Sequence, residues 1–491
     1  MNNLTSFIQF GAGLIVITAL ILSNRTEGFA EIASIGSMPS NNSSPESGLS
    51  LFMNLYPRFG SDFKLTDYLR RLKLNNSDPI WNGIYSKNQT RNLLRSKKLS
   101  PIILVPGLGA SQLFARWNKN DQQSVRSVDN SGNFEKEDPW SCKQVQDSWV
   151  PIWPPDVDGL ASYCWADNVK VVVSEDGKKI VNSSGVSTTV QEFGSIDFVN
   201  DEYMDTLITA LKTIGYVEGE NLFGACYDFR KIGSQDEIDA WCFSLTKLIE
   251  KNCAIQENPA IIIGHDLGAM IANYFLVGAV QEWKDNYIKS FISISGTFGG
   301  CPKALRAVLS GVSAPDNAQI FSTAIRNFSG LHLMLPNPKI YGDNPLVHFN
   351  QVSYSSYDIP NLINSVSKEA AKIYKLVEPV RDKAMQAPGV TTYILMGDNL
   401  NTESSYKYNM SLVNSPQRNI PFYQLDLPYN QKFNYNDYFI GDGTVPKFAL
   451  EYPIWWTKNQ EEPVFFQFFA STEHTKILSS YEPIKYIISI I

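Results

Sequence analysis

The chain has 491 residues and a net charge of −7, with 43% hydrophobic and 19% charged residues. Its length predicts one large or two modest domains, and its hydrophobic content excludes a largely disordered chain. A general role in binding nucleic acid is also excluded, because the acidic chain shows no basic stripe.

The N-terminal region has the features of a segment that enters the secretory pathway. Residues 10–22 are apolar and uncharged, which predicts a signal peptide or an uncleaved signal anchor within residues 1–30. Residues 31–50 are rich in serine, asparagine, glycine and proline, so we interpret residues 31–95 as a linker and N-terminal extension. The folded domain is then expected over residues 96–491.

Two further features favour a secreted, lysosome-like or membrane-anchored lumenal protein. Acceptor sequences for N-glycosylation follow the apolar segment. They lie at Asn24, Asn41, Asn42, Asn75, Asn88, Asn182, Asn327 and Asn409. The six cysteines are even in number and none forms a C-x-x-C pair, which favours disulfides over a zinc site. We therefore expect neither a metal ion nor a cofactor.

The first predicted core element is a buried strand over residues 101–106, followed directly by a glycine-rich loop at residues 107–111. In one large group of hydrolases, a strand that ends in such a loop upstream of the nucleophile supplies half of the oxyanion hole. A plain turn is the alternative. Only the order of the motifs along the chain favours the functional interpretation.

Residues 138–164 are dense in tryptophan and proline, and Cys142 and Cys164 bracket most of them. A proline-rich loop does not fit inside a sheet, and exposed tryptophans are costly unless they contact lipid or a ligand. We interpret this segment as a lid closed by a Cys142–Cys164 disulfide, with Trp149 and Trp153 as lipid-binding residues. The alternative is a loop whose tryptophans pack on the body of the protein.

Helices and strands alternate through the rest of the chain. The helical segments and strand-like runs, in chain order, cover residues 201–214, 222–227, 237–251, 260–263, 288–295, 390–396 and 464–469. This alternation predicts an α/β fold, with a mostly parallel sheet and helices on both of its faces. Residues from about 299 to 388 are irregular and loop-rich, as expected for an inserted cap.

The most informative stretch covers residues 258–274, which read as a buried strand, a sharp turn and a helix. Gly264 and Gly268 bracket one polar residue, which is the nucleophile-elbow arrangement G-x-S-x-G. The glycines are required because the turn is tight and the helix packs close to the strand. The polar residue is Asp266, where serine is expected. Taken alone, the motif is also compatible with an ordinary strand-to-helix turn.

A candidate triad follows from the order of motifs. The chain has four histidines, and only His474 lies on a loop after a late strand, while Asp442 lies in a Gly-Asp-Gly turn. Hydrolases with a nucleophile elbow carry nucleophile, acid and histidine in that chain order. Asp266, Asp442 and His474 match it and are the predicted catalytic residues. A turn aspartate and a structural histidine are the alternatives for the last two.

These motifs resemble the lecithin:cholesterol acyltransferase family, which includes lysosomal phospholipase A and phospholipid:diacylglycerol acyltransferase. The resemblance extends from about residue 101 to the C-terminus. It is carried by residues 103–107 (Ile-Leu-Val-Pro-Gly), 164–168 (Cys-Trp-Ala-Asp-Asn), 224–230 (Gly-Ala-Cys-Tyr-Asp-Phe-Arg), 335–338 (Leu-Pro-Asn-Pro), 441–445 (Gly-Asp-Gly-Thr-Val) and the elbow. The resemblance implies an α/β-hydrolase fold with a cap and a membrane-binding lid.

The family cleaves an acyl ester of a glycerophospholipid through an acyl-serine and passes the acyl group to a sterol, another alcohol or water. The resemblance therefore implies a phospholipid or other acyl lipid as partner, at a membrane or lipoprotein-like surface. Leu108 and Leu267 match the two backbone N–H donors of the oxyanion hole. Cys142 and Cys164 match the lid disulfide, and Trp153 matches a lid tryptophan that touches lipid.

Asp266 departs from the family pattern at the residue that carries the chemistry. It has no hydroxyl to deprotonate, and its carboxylate is expected to pair with His474, which already has Asp442 on its other side. Two anions raise the pKa of the imidazole and make it a poor general base. Attack of a carboxylate on an ester carbonyl would also give a mixed anhydride and an alkoxide, which is uphill.

Three hypotheses follow. The protein is a family enzyme whose serine is replaced, and is therefore inactive or weak; or it is a hydrolase with an aspartate nucleophile; or it binds lipid without catalysis. The second hypothesis arises because Gly264-His265-Asp266-Leu267-Gly268 resembles the elbow of epoxide hydrolases and haloalkane dehalogenases. In those enzymes a carboxylate attacks a saturated carbon and a histidine activates water.

Overall fold

A parallel sheet of six strands organises the structure, a computed structural model that describes residues 98–117, 127–128, 134–135, 146–154, 165–166, 168–199, 203–310, 324–349, 351–414, 421–425 and 438–491. All of these residues belong to one compact unit, Ser47–Ile491.

The strands in chain order are β1 (Ile102–Val105), β2 (Leu113–Trp117), β3 (Ser127–Val128), β4 (Phe134–Glu135), β5 (Gln146–Trp153), β6 (Val171–Val173), β7 (Ile180–Asn182), β8 (Val186–Val190), β9 (Leu222–Gly224), β10 (Ala260–His265), β11 (Ile288–Ile294), β12 (Val347–Phe349), β13 (Val352–Tyr354), β14 (Thr392–Asp398), β15 (Leu400–Glu403), β16 (Tyr406–Asn414), β17 (Pro421–Leu425), β18 (Tyr438–Gly441) and β19 (Val464–Ala470).

The α-helices are α1 (Asp205–Thr213), α2 (Gln235–Gln256), α3 (Leu267–Gly278), α4 (Gln281–Tyr287), α5 (Pro302–Ser310), α6 (Ser329–Leu333), α7 (Pro338–Tyr341), α8 (Ile359–Val366), α9 (Lys368–Ala384), α10 (Lys447–Leu450) and α11 (Tyr481–Ile490). Short 3-10 helices cover Ser356–Asp358, Tyr452–Lys458 and Lys476–Leu478.

The central sheet has the strand order β19-β14-β11-β10-β1-β9, and every neighbouring pair is parallel. The inner strands β11, β10 and β1 are apolar and buried on both faces because helices cover both faces, whereas the edge strand β19 is partly exposed. In β1, Ile103 and Val105 join the core beneath α2, α3 and α9, whereas Ile102 and Leu104 join the core beneath α1 and α11. The predicted α/β-hydrolase fold, a mostly parallel sheet between two helical layers, is confirmed.

Two segments predicted as irregular are ordered. The loop-rich pattern expected over residues 299–388 is wrong for its C-terminal part, where α8 and α9 form and α9 packs on α3. Pro379 lies inside α9 and obscured it, although Ser367 caps the helix by accepting a hydrogen bond from the Ala370 N–H. A separate four-stranded sheet, β13-β12-β16-β17, joins strands from before and after residue 388.

The proline-rich segment is not wholly a loop either. Residues 146–153 form β5, which pairs antiparallel with β2, and Pro151 lies opposite Phe114 at a register shift. The sheet order is β5-β2-β8, so β5 is an edge strand, and edge strands and bulges are where a sheet tolerates proline.

The described residues bear on two features that were predicted from the sequence for a protein of the secretory pathway. Asn327 is buried and its amide donates a hydrogen bond to the Val171 carbonyl. The folded protein therefore has no room for a glycan on Asn327, and the prediction of a glycosylation site there is wrong. In the part of the chain that the structure describes, no helix combines the length and the apolar character needed to cross a membrane. Residues 10–22 lie outside that part.

Candidate active site

The nucleophile elbow forms where β10 ends. Asp266 has φ 55° and ψ −124°, a strained conformation that presents its side chain above the sheet. Its backbone N–H donates to the Ile294 carbonyl at 3.0 Å. A side chain at Gly268 would overlap the Pro106 carbonyl, and one at Gly264 would lie 2.7 Å from the Ala269 Cα. The two glycines therefore permit the close approach of α3 to the sheet.

Asp442 and His474 are locked together on two loops. The Asp442 Oδ1 accepts hydrogen bonds from the N–H groups of Thr444 (2.9 Å) and Val445 (2.7 Å), so the turn after β18 holds the carboxylate in one orientation. Its Oδ2 lies 2.7 Å from the His474 Nδ1. The His474 N–H also donates to the Asp442 carbonyl at 2.9 Å. Backbone and side chain thus both align the imidazole.

The structure brings Asp266, Asp442 and His474 together, although they are far apart in the chain. The Asp266 Oδ1 lies 3.2 Å from the His474 Nε2. Its Oδ2 accepts the Leu108 N–H at 2.9 Å, and the Leu267 N–H also bonds this carboxylate. One carboxylate therefore fills two places: one oxygen contacts the histidine as a serine hydroxyl would, and the other occupies the predicted oxyanion hole.

Charge fixes the protonation of the pair. Burial alone would favour a neutral imidazole, but the charge of Asp442 and the hydrogen bonds of Asp266 and Asp442 outweigh it and raise the pKa of His474 to about 10. Burial alone would raise the pKa of Asp266, but the hydrogen bond and charge of His474 lower it to about 2. At neutral pH an imidazolium thus lies between two carboxylates.

Two site residues escaped the sequence interpretation. His265 is fully buried, with its Nε2 3.1 Å from the His474 carbonyl and its Nδ1 2.8 Å from the Tyr203 hydroxyl. A carbonyl only accepts, so these partners assign the proton to Nε2. Burial and the charge of His474 lower the pKa of His265 to about 4, so the ring is neutral and its Nδ1 accepts from Tyr203. The position of His265 inside the elbow motif could have identified it from the sequence. No sequence feature marks Tyr203.

Comparison with known proteins decides the family. The family model described as lecithin:cholesterol acyltransferase matches residues 152–367 and 344–481, more than half of the chain. The chain belongs to the lecithin:cholesterol acyltransferase family. Phosphatidylcholine-sterol acyltransferase of Mus musculus is 27% identical, over 88% of this chain and 94% of that protein.

Lysosomal phospholipase A and acyltransferase of Homo sapiens is 26% identical, over 79% of this chain and 89% of that protein. Among solved structures, the crystal structure of the Tle4–Tli4 complex aligns with a TM-score of 0.40 and 12% identity, over 80% of this chain and 97% of that chain.

The Tyr-Asp-Phe-Arg block that this family member carries is structural. Arg230 is fully buried and pairs with Asp228 at 2.5 Å. Its guanidinium also donates to the Val169 carbonyl at 2.8 Å and the Thr188 hydroxyl at 2.7 Å. The block therefore ties Val169 to Thr188 on strand β8. Removal of one partner from a buried ion pair is strongly destabilising, so the block is expected to hold the fold in place.

Trp149 and Trp153, the two tryptophans predicted to bind lipid, have different environments. Trp153 is only 3% exposed, its indole N–H donates to the Gly109 carbonyl at 2.7 Å, and its ring packs on Trp165 and Phe229. Trp153 therefore packs on the body of the protein, which was the alternative interpretation. The prediction that Trp153 is exposed for contact with lipid is wrong in this conformation. Trp149 is 43% exposed, with the Arg116 guanidinium 4.8 Å from its ring centre.

The sequence-based prediction that Trp149 binds lipid has a direct test: Trp149→Ala should weaken binding to phosphatidylcholine vesicles about tenfold, because an exposed tryptophan stabilises contact with a lipid interface. The melting temperature should barely change. Vesicle cosedimentation and calorimetry measure the two effects. Trp455→Ala is the matched control, since Trp455 is 56% exposed and also lies under a cation, Lys458. Equal losses for both variants would contradict a specific role for Trp149.

Cys142 and Cys164, the cysteines of the predicted lid disulfide, lie outside the described residues. The four cysteines that sequence left unpaired, Cys226, Cys242, Cys253 and Cys301, are free thiols. Burial raises the pKa of each, to about 11 for Cys253 and about 12 for the others. Such thiols are poor nucleophiles. The described residues contain no group of His, Cys, Asp and Glu arranged to hold a metal ion.

Proposed function

We propose that this protein binds acyl lipids of the glycerophospholipid type and that Asp266 blocks acyl transfer by the serine mechanism. Family membership and the names of the relatives, a phosphatidylcholine-sterol acyltransferase and a lysosomal phospholipase A and acyltransferase, support the lipid class. The Asp442–His474 pair and the donors at Leu108 and Leu267 support an apparatus that is complete except at position 266.

The observation that carries the block is the position of the Asp266 carboxylate. An ester carbonyl must place its oxygen on the Leu108 and Leu267 N–H groups as negative charge develops there. The Asp266 Oδ2 already holds the Leu108 N–H at 2.9 Å. A substrate oxygen would have to displace a carboxylate that is also paired with His474.

The protonation of His474, to which Asp266 contributes, blocks the same step in a second way. A general base must accept a proton near the working pH. With its pKa raised to about 10, His474 is already protonated at pH 7. No hydroxyl lies at position 266 to be activated, so neither the nucleophile nor the base of the family mechanism is supplied.

The cellular setting belongs to the same proposal. The apolar segment at residues 10–22 and the acceptor sequences before residue 95 support entry into the secretory pathway. A lumenal or extracellular protein of this family would meet its lipids at a membrane or lipoprotein-like surface. The division into residues 1–30, 31–95 and 96–491, with a lid at 138–164 and a cap at about 299–388, is proposed with it.

A second candidate is a hydrolase with an aspartate nucleophile, and one observation favours it. The Asp266 Oδ2 is held by a backbone N–H, while the Oδ1 is bonded to the His474 imidazolium. One oxygen is thus anchored, and the other lies beside the acid that would protonate a leaving oxygen. On an epoxide, the Oδ1 would bond to a ring carbon as the ring C–O bond breaks. The ring oxygen would take the proton of the His474 imidazolium.

The ester so formed no longer carries the Asp266 charge, so the pKa of His474 would fall and the imidazole would become a base. It would take a proton from water, and the hydroxide would add to the Asp266 carboxyl carbon. The acyl C–O bond would break, and the leaving alkoxide would take the proton back from His474. The Asp266 carboxylic acid so formed would then pass its own proton to His474. The sum is epoxide plus water to diol, with Asp266 and His474 restored.

One experiment tests both candidates. The protein is incubated in ¹⁸O-water with phosphatidylcholine vesicles or with an epoxidised fatty acid. Mass spectrometry then identifies the products and measures the ¹⁸O content of the peptide that contains Asp266. Vesicle binding without fatty-acid release and without label supports the first proposal. Diol formation with ¹⁸O in Asp266 supports the second. Release of fatty acid, or failure to bind vesicles, contradicts the first.

A further inference from the structure

Three aromatic side chains converge on the loop that carries the Leu108 N–H. The Tyr227 hydroxyl donates to the Pro106 carbonyl at 2.7 Å, the Tyr203 hydroxyl accepts the Gly107 N–H at 2.8 Å, and the Trp153 indole N–H donates to the Gly109 carbonyl at 2.7 Å. Tyr227 follows β9, Tyr203 precedes α1, and Trp153 ends β5. We call these three residues the aromatic clamp.

The loop needs such support because it is intrinsically flexible. Gly107 and Gly109 flank Leu108, and Gly109 has φ 75°, so two of the three residues have little conformational preference of their own. A side chain at Gly107 would lie 3.0 Å from the Asp266 Cβ, so this glycine is required by space. An N–H donor stabilises an oxyanion only if its direction is set before the charge develops.

Tyr203 also connects this loop to the histidine. Its oxygen accepts the Gly107 N–H while its proton is donated to the His265 Nδ1, and the His265 Nε2–H is donated to the His474 carbonyl. The chain of bonds therefore runs from the oxyanion loop to the loop after β19. Burial is nearly complete along it, with Tyr203 8% exposed and His265 not exposed, so water does not offer an equal substitute.

We propose that Tyr203, Tyr227 and Trp153 are positioning residues that hold the Leu108 N–H aimed at residue 266. Tyr203, through His265, also fixes the separation between that N–H and His474. The proposal rests on the proposed function only where a substrate oxyanion is concerned. In the protein as it exists, the clamp holds the Leu108 N–H on the Asp266 carboxylate.

Tyr227→Phe and Tyr203→Phe test the clamp in the native chain. Hydrogen exchange of the Leu108 amide, followed by NMR or mass spectrometry, is expected to be about tenfold faster in each variant, the effect of one lost hydrogen bond. Tyr341→Phe is the control, because its buried hydroxyl donates to the Gly300 carbonyl at 2.9 Å, away from the loop. Exchange at Leu108 should be unchanged in that variant.

The pH titration of His474 gives a second readout that general loss of stability does not move. Tyr203→Phe should loosen the Leu108 N–H and the hydrogen bond from the His265 Nε2–H to the His474 carbonyl, and so shift the titration of His474. Tyr341→Phe should leave that titration unchanged. Equal Leu108 exchange in all three variants would overturn the proposal. If Tyr203→Phe does not fold, Tyr227→Phe carries the exchange test alone.

The Asp266→Ser background distinguishes this proposal from the proposed function. If that chain hydrolyses esters, adding Tyr227→Phe should lower kcat by about tenfold or more with KM unchanged, because a displaced donor weakens transition-state binding. Unchanged kcat would count against the clamp. If Asp266→Ser is inactive, the proposed function fails while the exchange result at Leu108 still decides the clamp.

Discussion

Asp266→Ser is expected to raise phospholipid ester hydrolysis by about 10³-fold or more, since loss of a serine nucleophile in a comparable hydrolase costs about 10⁶ in kcat. The substitution supplies the missing hydroxyl at the place where the Asp266 Oδ1 lies 3.2 Å from the His474 Nε2. It also removes the second carboxylate oxygen from the Leu108 N–H. The oxyanion hole then becomes available to substrate.

The same change restores the base. The charge and hydrogen bond of Asp266 are among the causes that raise the pKa of His474 to about 10. Without them, burial opposes the imidazolium and only Asp442 supports it, so the pKa of His474 falls toward neutrality. Serine, histidine and acid would then stand in the relation that general-base catalysis requires.

The assay is fatty-acid release from phosphatidylcholine vesicles, with and without an alcohol acceptor. Asp266→Asn is the matched control: it removes the charge and keeps the shape but has no hydroxyl, so it should stay inactive while the pKa of His474 falls. Adding His474→Gln to Asp266→Ser should abolish the gained activity. An active parent chain with an inactive serine variant would contradict the assignment of Asp266 as a disabling residue.

Stability is expected to peak near pH 6.5 and to fall on both sides. The folded pKa of His474, about 10, exceeds its unfolded value of 6.5, so its contribution is complete below pH 6.5 and is lost as the pH rises to about 10. His265 has a folded pKa of about 4. Below pH 6.5 His265 is protonated in the unfolded chain but stays neutral in the folded protein, so stability falls as the pH decreases toward 4.

Asp266 adds to the acid limb. Its folded pKa of about 2 is below its unfolded value of 3.8, so its contribution is present above pH 3.8 and lost as the pH falls to about 2. Calorimetric melting temperatures across pH 3 to 10 measure the profile. Asp266→Ser should flatten the alkaline limb, because the pKa of His474 then lies closer to 6.5. A parent profile that is flat from pH 7 to 10 would contradict an imidazolium at this site.

His474→Gln should be the most destabilising single change at the site, at about 3–5 kcal/mol, because it leaves buried carboxylates without their cation. Asp266 and Asp442 would then be buried without the His474 cation, and stability should fall as the pH rises, since protonation removes their buried charge. His474→Gln with Asp266→Asn should recover much of the loss. Urea unfolding of both variants against the parent measures the difference.

The sequence pattern predicted those features of the fold whose physical cause lies in neighbouring residues. The runs that became β1, β10, β11 and β14 are apolar because both faces of these strands are buried in the parallel sheet, so the sequence predicted where they lie in the chain. Gly264 and Gly268 predicted the elbow, because a tight strand-to-helix crossing excludes side chains there. The order Asp266, Asp442, His474 followed from the same pattern.

Other features depend on contacts between distant segments and have no local signal. α9 was obscured by Pro379, and its stability comes from packing on α3 rather than from helix propensity. Trp153 was expected at a lipid surface, yet its indole is buried on Gly109. Whether an aromatic residue faces lipid or core depends on what the fold places over it, and composition does not contain that information.

From the sequence alone, the aspartate at position 266 determines that no hydroxyl is present and that two carboxylates compete for one histidine. Only the tertiary structure decides that the second oxygen of Asp266 occupies the oxyanion hole, since the Leu108 N–H comes from a loop 158 positions earlier in the chain. The same holds for Tyr203, 62 positions from its partner His265. Such contacts are set by sheet order and helix packing, which bring separate loops to the same edge of the sheet.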